Sequence, residues 1–308
     1  NIITEKTLVL NNDDFDEPHY VFWRNSQNPD YTFLELFYGP FFSSLIVSTF
    51  YLICRTFNFN QRTSIIMALF LGFTTPVWAY SQTSLNSVPE TFFILLGFFY
   101  FRKFQKINHK SYYLILSGIS IGFAFLVRPD AVLIIIPLTL FLFYILKNQN
   151  NKIKKSLTFI IPIILSYGIF HMVNFIRTGT LPLSGISSNV STLISDGGYP
   201  APVYEGIIGL LLSPGIGLLI FAPILFTIFL SFPNFYVKHK KECILLLAFI
   251  AFFLISYGRE DPWHGLIAWS ARYLFPVIPF LLLPLGASIE KTNKRFLILI
   301  FIILGGLG

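Results

Sequence analysis

The sequence predicts an all-α polytopic membrane protein, and three observations predict it. Charged residues make up 12% of the chain and hydrophobic ones 54%, where a soluble domain carries roughly a quarter charged. The mean hydropathy is +0.67. From residue 36 onward, apolar runs alternate with short loops, and the longer runs match the roughly 20 residues that a bilayer requires.

Taken in order, residues 1–35 are a polar juxtamembrane segment carrying Glu5, Asp13, Asp14, Asp16, Glu17, Asp30 and Glu35 against Lys6 and Arg24. Residues 36–308 are the membrane domain. Its spans are expected near 36–56, 64–80, 90–101, 111–127, 131–147, 157–176, 206–232, 243–257, 273–289 and 296–308, about ten in all. The third is short enough to be tilted or partly re-entrant. The chain begins at Asn1 and stops inside the last apolar run, so it is expected to be a piece cut at both ends.

The loops set the orientation. Those near 55–62, 102–110, 147–155, 238–241 and 291–295 hold 16 of the 22 Lys and Arg, which makes them cytoplasmic by the positive-inside rule. The alternate loops and the N-terminal segment together hold all four tryptophans and every acid except Glu242 and Glu290. The expected result is a plain basic face and a chemically rich external face at the plasma membrane. A net charge of +7 spread over separate loops is no signature of nucleic-acid binding. Cys54 and Cys243 read as packing residues, and no internal repeat is evident.

Five external stretches stand out. Residues 257–280 (YGREDPWHGLIAWSARYLFPVIPF) crowd Arg259, Glu260, Asp261, His264 and Arg272 beside Trp263, Trp269 and Tyr273. Ionisable groups at a bilayer edge are costly unless they face water, a partner or a ligand. The bland alternative is a solvated interfacial loop with tryptophan anchors. Glu90 begins a span, either as a helix N-terminal cap or as a buried acid in a cavity. Arg128-Pro129-Asp130 is a tight turn, either a local ion pair or part of a site. Residues 206–225 (GIIGLLLSPGIGLLIFAPIL) read as a broken helix beside a polar cavity or as a simple proline kink. Residues 174–205 are a Gly/Ser/Pro-rich surface loop containing Asp196. No glycine-rich phosphate loop, zinc spacing or Ser-His-Asp signature is present.

Five stretches together resemble the GT-C superfamily of polytopic glycosyltransferases, such as the aminoarabinose transferases and protein O-mannosyltransferases. They are TTPVWAYSQTSLNSVPE, SGISIGFAFLVRPDAVLIIIPL, VNFIRTGTLPLSG, GIIGLLLSPGIGLLIFAP and WHGLIAWSARYLFPVIPF. The resemblance covers most of residues 36–289. It implies a polyprenyl-phosphate-linked sugar as donor and transfer at the external face. The family's main catalytic acid follows its first membrane helix, which would precede Asn1. The pair Asp16-Glu17 looks like a catalytic acidic pair but falls later than the family pattern.

The reading is thus an inverting glycosyltransferase acting on a lipid, glycan or protein acceptor. Glu90, Asp16 and Glu17 are the candidate catalytic acids, which would deprotonate the acceptor or orient it with a divalent metal. Arg128, Arg259 and Arg272 are the candidates for the leaving phosphate, a task suited to arginine. Asp130, Asp261, His264, Trp269 and Tyr273 are candidate acceptor or sugar contacts. A transporter or lipid flippase is the rival from another class, and it would line a path with charge on both faces. A structural assembly subunit is a third reading.

Overall fold

The computed structural model describes residues 29–107, 110–149, 151–179, 202–259 and 270–291, apart from the side chains of residues 29–35 and 178. Every regular element among them is helical. The first seven α-helices are α1 Pro29–Thr56, α2 Gln61–Phe73, α3 Val77–Tyr80, α4 Ser87–Lys106, α5 Tyr112–Val127, α6 Val132–Leu146 and α7 Lys152–Thr178. Then come α8 Val203–Leu212, α9 Leu218–Phe221, α10 Thr227–Lys238, α11 Lys240–Tyr257, α12 Ile278–Leu282 and α13 Leu285–Ile289. Short 3-10 turns occupy Pro129–Ala131, Pro223–Phe226 and Arg272–Val277.

Among the described residues four helical stretches are long and apolar enough to cross a membrane: Leu36–Thr56, Pro129–Leu146, Lys152–Arg177 and Arg272–Ile289. Three shorter apolar helices accompany them: α2, α5 and α8. The protein is an all-helical membrane protein. The expected short third span is instead α4, whose 20 residues reach about 30 Å. It outlasts its apolar stretch because both ends satisfy their charges: Glu90 meets Arg128 at one end, and Arg102 meets Glu242 at the other. The run expected at 206–232 is broken. Ser213 leaves the helical region at ψ 132° and ends α8, and α9, a 3-10 turn and α10 follow in sequence. The expected last span and all but the start of α1 in the N-terminal segment lie outside the described residues.

Close backbone approach holds the bundle together, as it must where lipid is as apolar as leucine. A Cβ on Gly118 would lie 2.3 Å from the Phe159 carbonyl oxygen, so α5 and α7 touch only because that position is glycine. Ser117 Oγ donates to the Gly97 carbonyl at 2.8 Å and ties α5 to α4. Phe98, Phe249 and Phe280 meet edge to face across α4, α11 and α12, at centroid distances of 5.1–6.2 Å. Such ring pairs add about 0.5–1.5 kcal/mol beyond their buried area. The Arg272–Ile289 stretch is the most enclosed of the four candidate spans, whereas α7 presents Ile161, Leu165, Met172 and Ile176 outward.

The two ends of this bundle differ in chemistry. At one end Lys106 binds the Asn58 side chain, the Asn60 amide donates to Glu290 at 2.8 Å, and Lys291 donates to Asn234 at 2.9 Å. The Arg102 guanidinium there pairs with Glu242 and lies 4.2 Å from the centre of the Phe57 ring. At the other end the starts of α4 and α6 meet the end of α11 and the 3-10 turn at Arg272.

Candidate functional site at the acidic end of the bundle

Antiparallel packing of α4 on α5 brings the first turn of α4 beside the last residue of α5. Glu90 therefore faces Arg128, with Oε2 3.5 Å from Nη1. The Glu90 side chain is 0% exposed, and among the described residues neither of its oxygens has a hydrogen-bond partner. The structure bears out the buried acid and not the cap, since the N-cap position is Asn86 and among the described residues no backbone amide donates to Glu90. It still sits in the helical first turn, where the dipole favours an anion. One cation at ion-pair distance leaves most of its acceptor capacity unused, which is costly in an apolar surround.

The Arg128-Pro129-Asp130 turn is likewise more than a local pair. Arg128 Nη2 donates to Asp130 Oδ2, and the Tyr257 hydroxyl, delivered from the end of α11, donates to the same oxygen. Arg128 Nη2 also lies 3.3 Å from the Tyr257 oxygen. The Arg128 and Asp130 side chains keep 20% and 23% of their exposure, so the cluster opens on that side and closes around Glu90. The local ion pair is thus one edge of a network joining α4, the 129–131 turn and α11.

A second wall comes from the 3-10 turn at 272–277. Tyr273 stacks on Tyr257, and the half-buried Arg272 lies 5.0 Å from the Tyr273 ring centre with Nη2 3.4 Å from its hydroxyl. Among the described residues Arg272 has no carboxylate partner. Tyr80, at the end of α3, stacks on Phe275 at 4.6 Å, and its buried hydroxyl has no hydrogen bond among the described residues. That hydroxyl lies within electrostatic range of both Arg128 and Arg272. The α8 helix closes on this end through the Gly206–Gly258 contact, where a Cβ on Gly206 would lie 2.3 Å from the Gly258 oxygen.

Of the residues expected from the sequence, Glu90, Arg128, Asp130, Arg272 and Tyr273 gather at this end of the bundle. Arg259 is exposed and forms no ion pair among the described residues. Asp16, Glu17, Asp261, His264 and Trp269 lie outside the described residues. Tyr257 and Tyr80 escaped the sequence reading. The one signal was position, since Tyr257 ends an apolar run and opens the charged stretch. Among the described residues no three His, Cys, Asp or Glu side chains gather closely enough to hold a metal ion. A groove of about 790 Å³ beside the start of α7 is lined by Gln149, Lys152 and Lys154 with no acid, far from this chemistry. The charge cluster is the better site because it brings acid, cation and unsatisfied hydroxyl together.

An apolar helical bundle with two acids and two arginines gathered at one end defines a membrane protein with a charged site where its helices end. Residues 20–182 match the family described as dolichyl-phosphate-mannose-protein mannosyltransferase, and the chain belongs to that family. It is therefore a membrane glycosyltransferase whose donor is a sugar carried on a lipid phosphate. The match includes Glu90, Arg128 and Asp130, while Tyr257, Arg272 and Tyr273 lie beyond it. No curated protein and no solved structure matches the chain.

Proposed function

We propose that the acidic end of the bundle is the active end of an inverting glycosyltransferase and faces the exterior. In this reading the acceptor hydroxyl attacks the anomeric carbon of the sugar, and the bond from that carbon to the phosphate oxygen breaks. The electron pair leaves with the polyprenyl phosphate, and the acceptor proton passes to a carboxylate. Glu90 is the described acid best suited to that role. Arg128 and Arg272 receive the phosphate as its charge develops, and Asp130 and Tyr273 border the sugar. The observation that carries the reading is the Glu90 carboxylate, fully buried, 3.5 Å from Arg128 and without a hydrogen bond among the described residues. Asp16 and Glu17 are the competing acids, and Asp261, His264 and Trp269 are proposed acceptor-side contacts. A GT-C-like arrangement with ten crossings completes this picture. The family membership favours a transferase over a transporter or flippase.

The deciding experiment measures sugar transfer from a polyprenyl-phosphate mannose to a peptide or lipid acceptor. Glu90→Gln is expected to lower kcat by 10²–10⁴-fold, the usual contribution of a general base. Full activity in Glu90→Gln, with activity lost in Asp16→Asn or Glu17→Gln, would move the base to the N-terminal segment.

A further inference from the structure

The basic end of the bundle carries a site that sugar transfer does not use. Between α6 and α11 runs a groove of about 330 Å³, lined by Pro137, Leu140, Phe141, Ile244, Leu245 and Phe252, with Tyr144 and Lys241 at its end. That volume lies within the range of ligand pockets. The lining holds no carboxylate. The Lys241 ammonium sits 5.6 Å from the centre of the Tyr144 ring, so the aromatic face holds the cation at the mouth of the groove. Lys147 follows Tyr144 by one turn, with helical backbone angles and an exposed side chain, and so adds a second cation to that face. The neighbouring acid, Glu242, turns away into its pair with Arg102. Its charge is spent there.

The dimensions select the occupant. From Lys241 to Phe252 the groove follows α11 for eleven residues, or about 16 Å, half of the roughly 30 Å hydrocarbon core. An apolar channel one leaflet deep with two cations at headgroup level fits one acyl chain beneath an anionic headgroup. Leu140, Tyr144 and Ile244 stay exposed along it, open to the bilayer from the side. The lipid-linked sugar is a different ligand, because its phosphate belongs at the opposite end of the bundle beside Arg128 and Arg272.

We propose that this groove is a binding site for an anionic phospholipid of the leaflet at the basic end, its headgroup on Lys241 and Lys147 and one chain between α6 and α11. The groove itself stands on the membrane fold, and only the exclusion of the lipid-linked sugar rests on the proposed placement of the donor phosphate.

The test uses the whole purified chain in neutral detergent micelles, titrated with phosphatidylglycerol or phosphatidylcholine. Retained lipid is counted by native mass spectrometry, and Tm is followed in parallel. Phosphatidylglycerol is expected to add one retained lipid and raise Tm, with phosphatidylcholine doing neither. Lys241→Gln should weaken retention about five-fold, and adding Lys147→Gln about five-fold again, at roughly the contribution expected of each lysine near a charged lipid. Ala248 also lines the groove, so Ala248→Trp, which fills it and leaves both lysines intact, should abolish retention. Equal retention of phosphatidylcholine, unchanged retention in the double lysine variant, or an equal rise in Tm with soluble glycerophosphate would each overturn the proposal. A poorly folding Ala248→Trp leaves the lysine variants to decide.

Discussion

Tyr257 and Tyr273 lie face to face, with ring centroids 4.2 Å apart and planes within 10° of parallel. The stack joins the end of α11 to the 3-10 turn that carries Arg272. Through its hydroxyl, Tyr257 also reaches Asp130 and Arg128. One side chain therefore links the acid-arginine network on the α4–α6 side to the second arginine.

Tyr257→Phe keeps this stack and removes the hydroxyl. Asp130 then loses a donor in a part-buried setting, which costs about 1–3 kcal/mol. Transfer from a polyprenyl-phosphate sugar is expected to fall about tenfold, with Tm lowered by a few degrees. Tyr257→Ala, which also removes the stack, should fall further. Equal activity in Tyr257→Phe and wild type would take the hydroxyl out of the network.

Of the two arginines at the site, Arg272 has no carboxylate partner among the described residues. If it receives the donor phosphate, Arg272→Ala loses a charge-assisted bond of about 1.5–3 kcal/mol, and kcat/KM for the donor drops roughly tenfold or more. Arg272→Lys keeps the charge but loses the bidentate fork, so it should recover only part of the activity. Unchanged kinetics in Arg272→Ala would remove it from the site.

The Arg102–Glu242 pair at the basic end is nearly enclosed, with side-chain exposures of 6% and 17%. Removing one partner of such a pair strands the other charge, at a cost of about 3–5 kcal/mol. Glu242→Gln should therefore lower Tm clearly while the kinetics of the remaining folded enzyme hold. A Glu242→Gln protein as stable as wild type would show that solvent already screens the pair.

The glycine contact between α5 and α7 makes a sharper structural prediction. Gly118→Val places a side chain where the Phe159 carbonyl already stands. The helices must separate, and α5 would then carry Arg128 away from Glu90. Both Tm and transfer should fall, whereas Gly168→Ala, in open space on α7, should change neither. Retained transfer in Gly118→Val would show that the cluster does not depend on this contact.

Orientation is open to direct measurement. Lys154 and Arg259 are both exposed, at opposite ends of the bundle. In intact cells an impermeant thiol reagent is expected to label Arg259→Cys and spare Lys154→Cys. The native Cys54 and Cys243 are buried and free, so the background should be low. The reverse pattern would invert the topology.

The membrane class, the two-faced charge pattern and the candidacy of Glu90, Arg128 and Arg272 were determined by the sequence alone. Composition and loop charge are local quantities, and a bilayer punishes any violation of them. What only the tertiary structure decided is which of these groups meet. Glu90 and Arg128 are 38 positions apart, and Asp130 and Tyr257 are 127 apart. Their encounters depend on the Gly118 contact, the α4–α5 packing and the tyrosine stack, and hydropathy reports none of these. The length of α4 was hidden for the same reason. Its charged ends look like helix limits until distant partners neutralise them. Burial and pairing are properties of the folded neighbourhood, so the chain could name the charges while only the fold could join them.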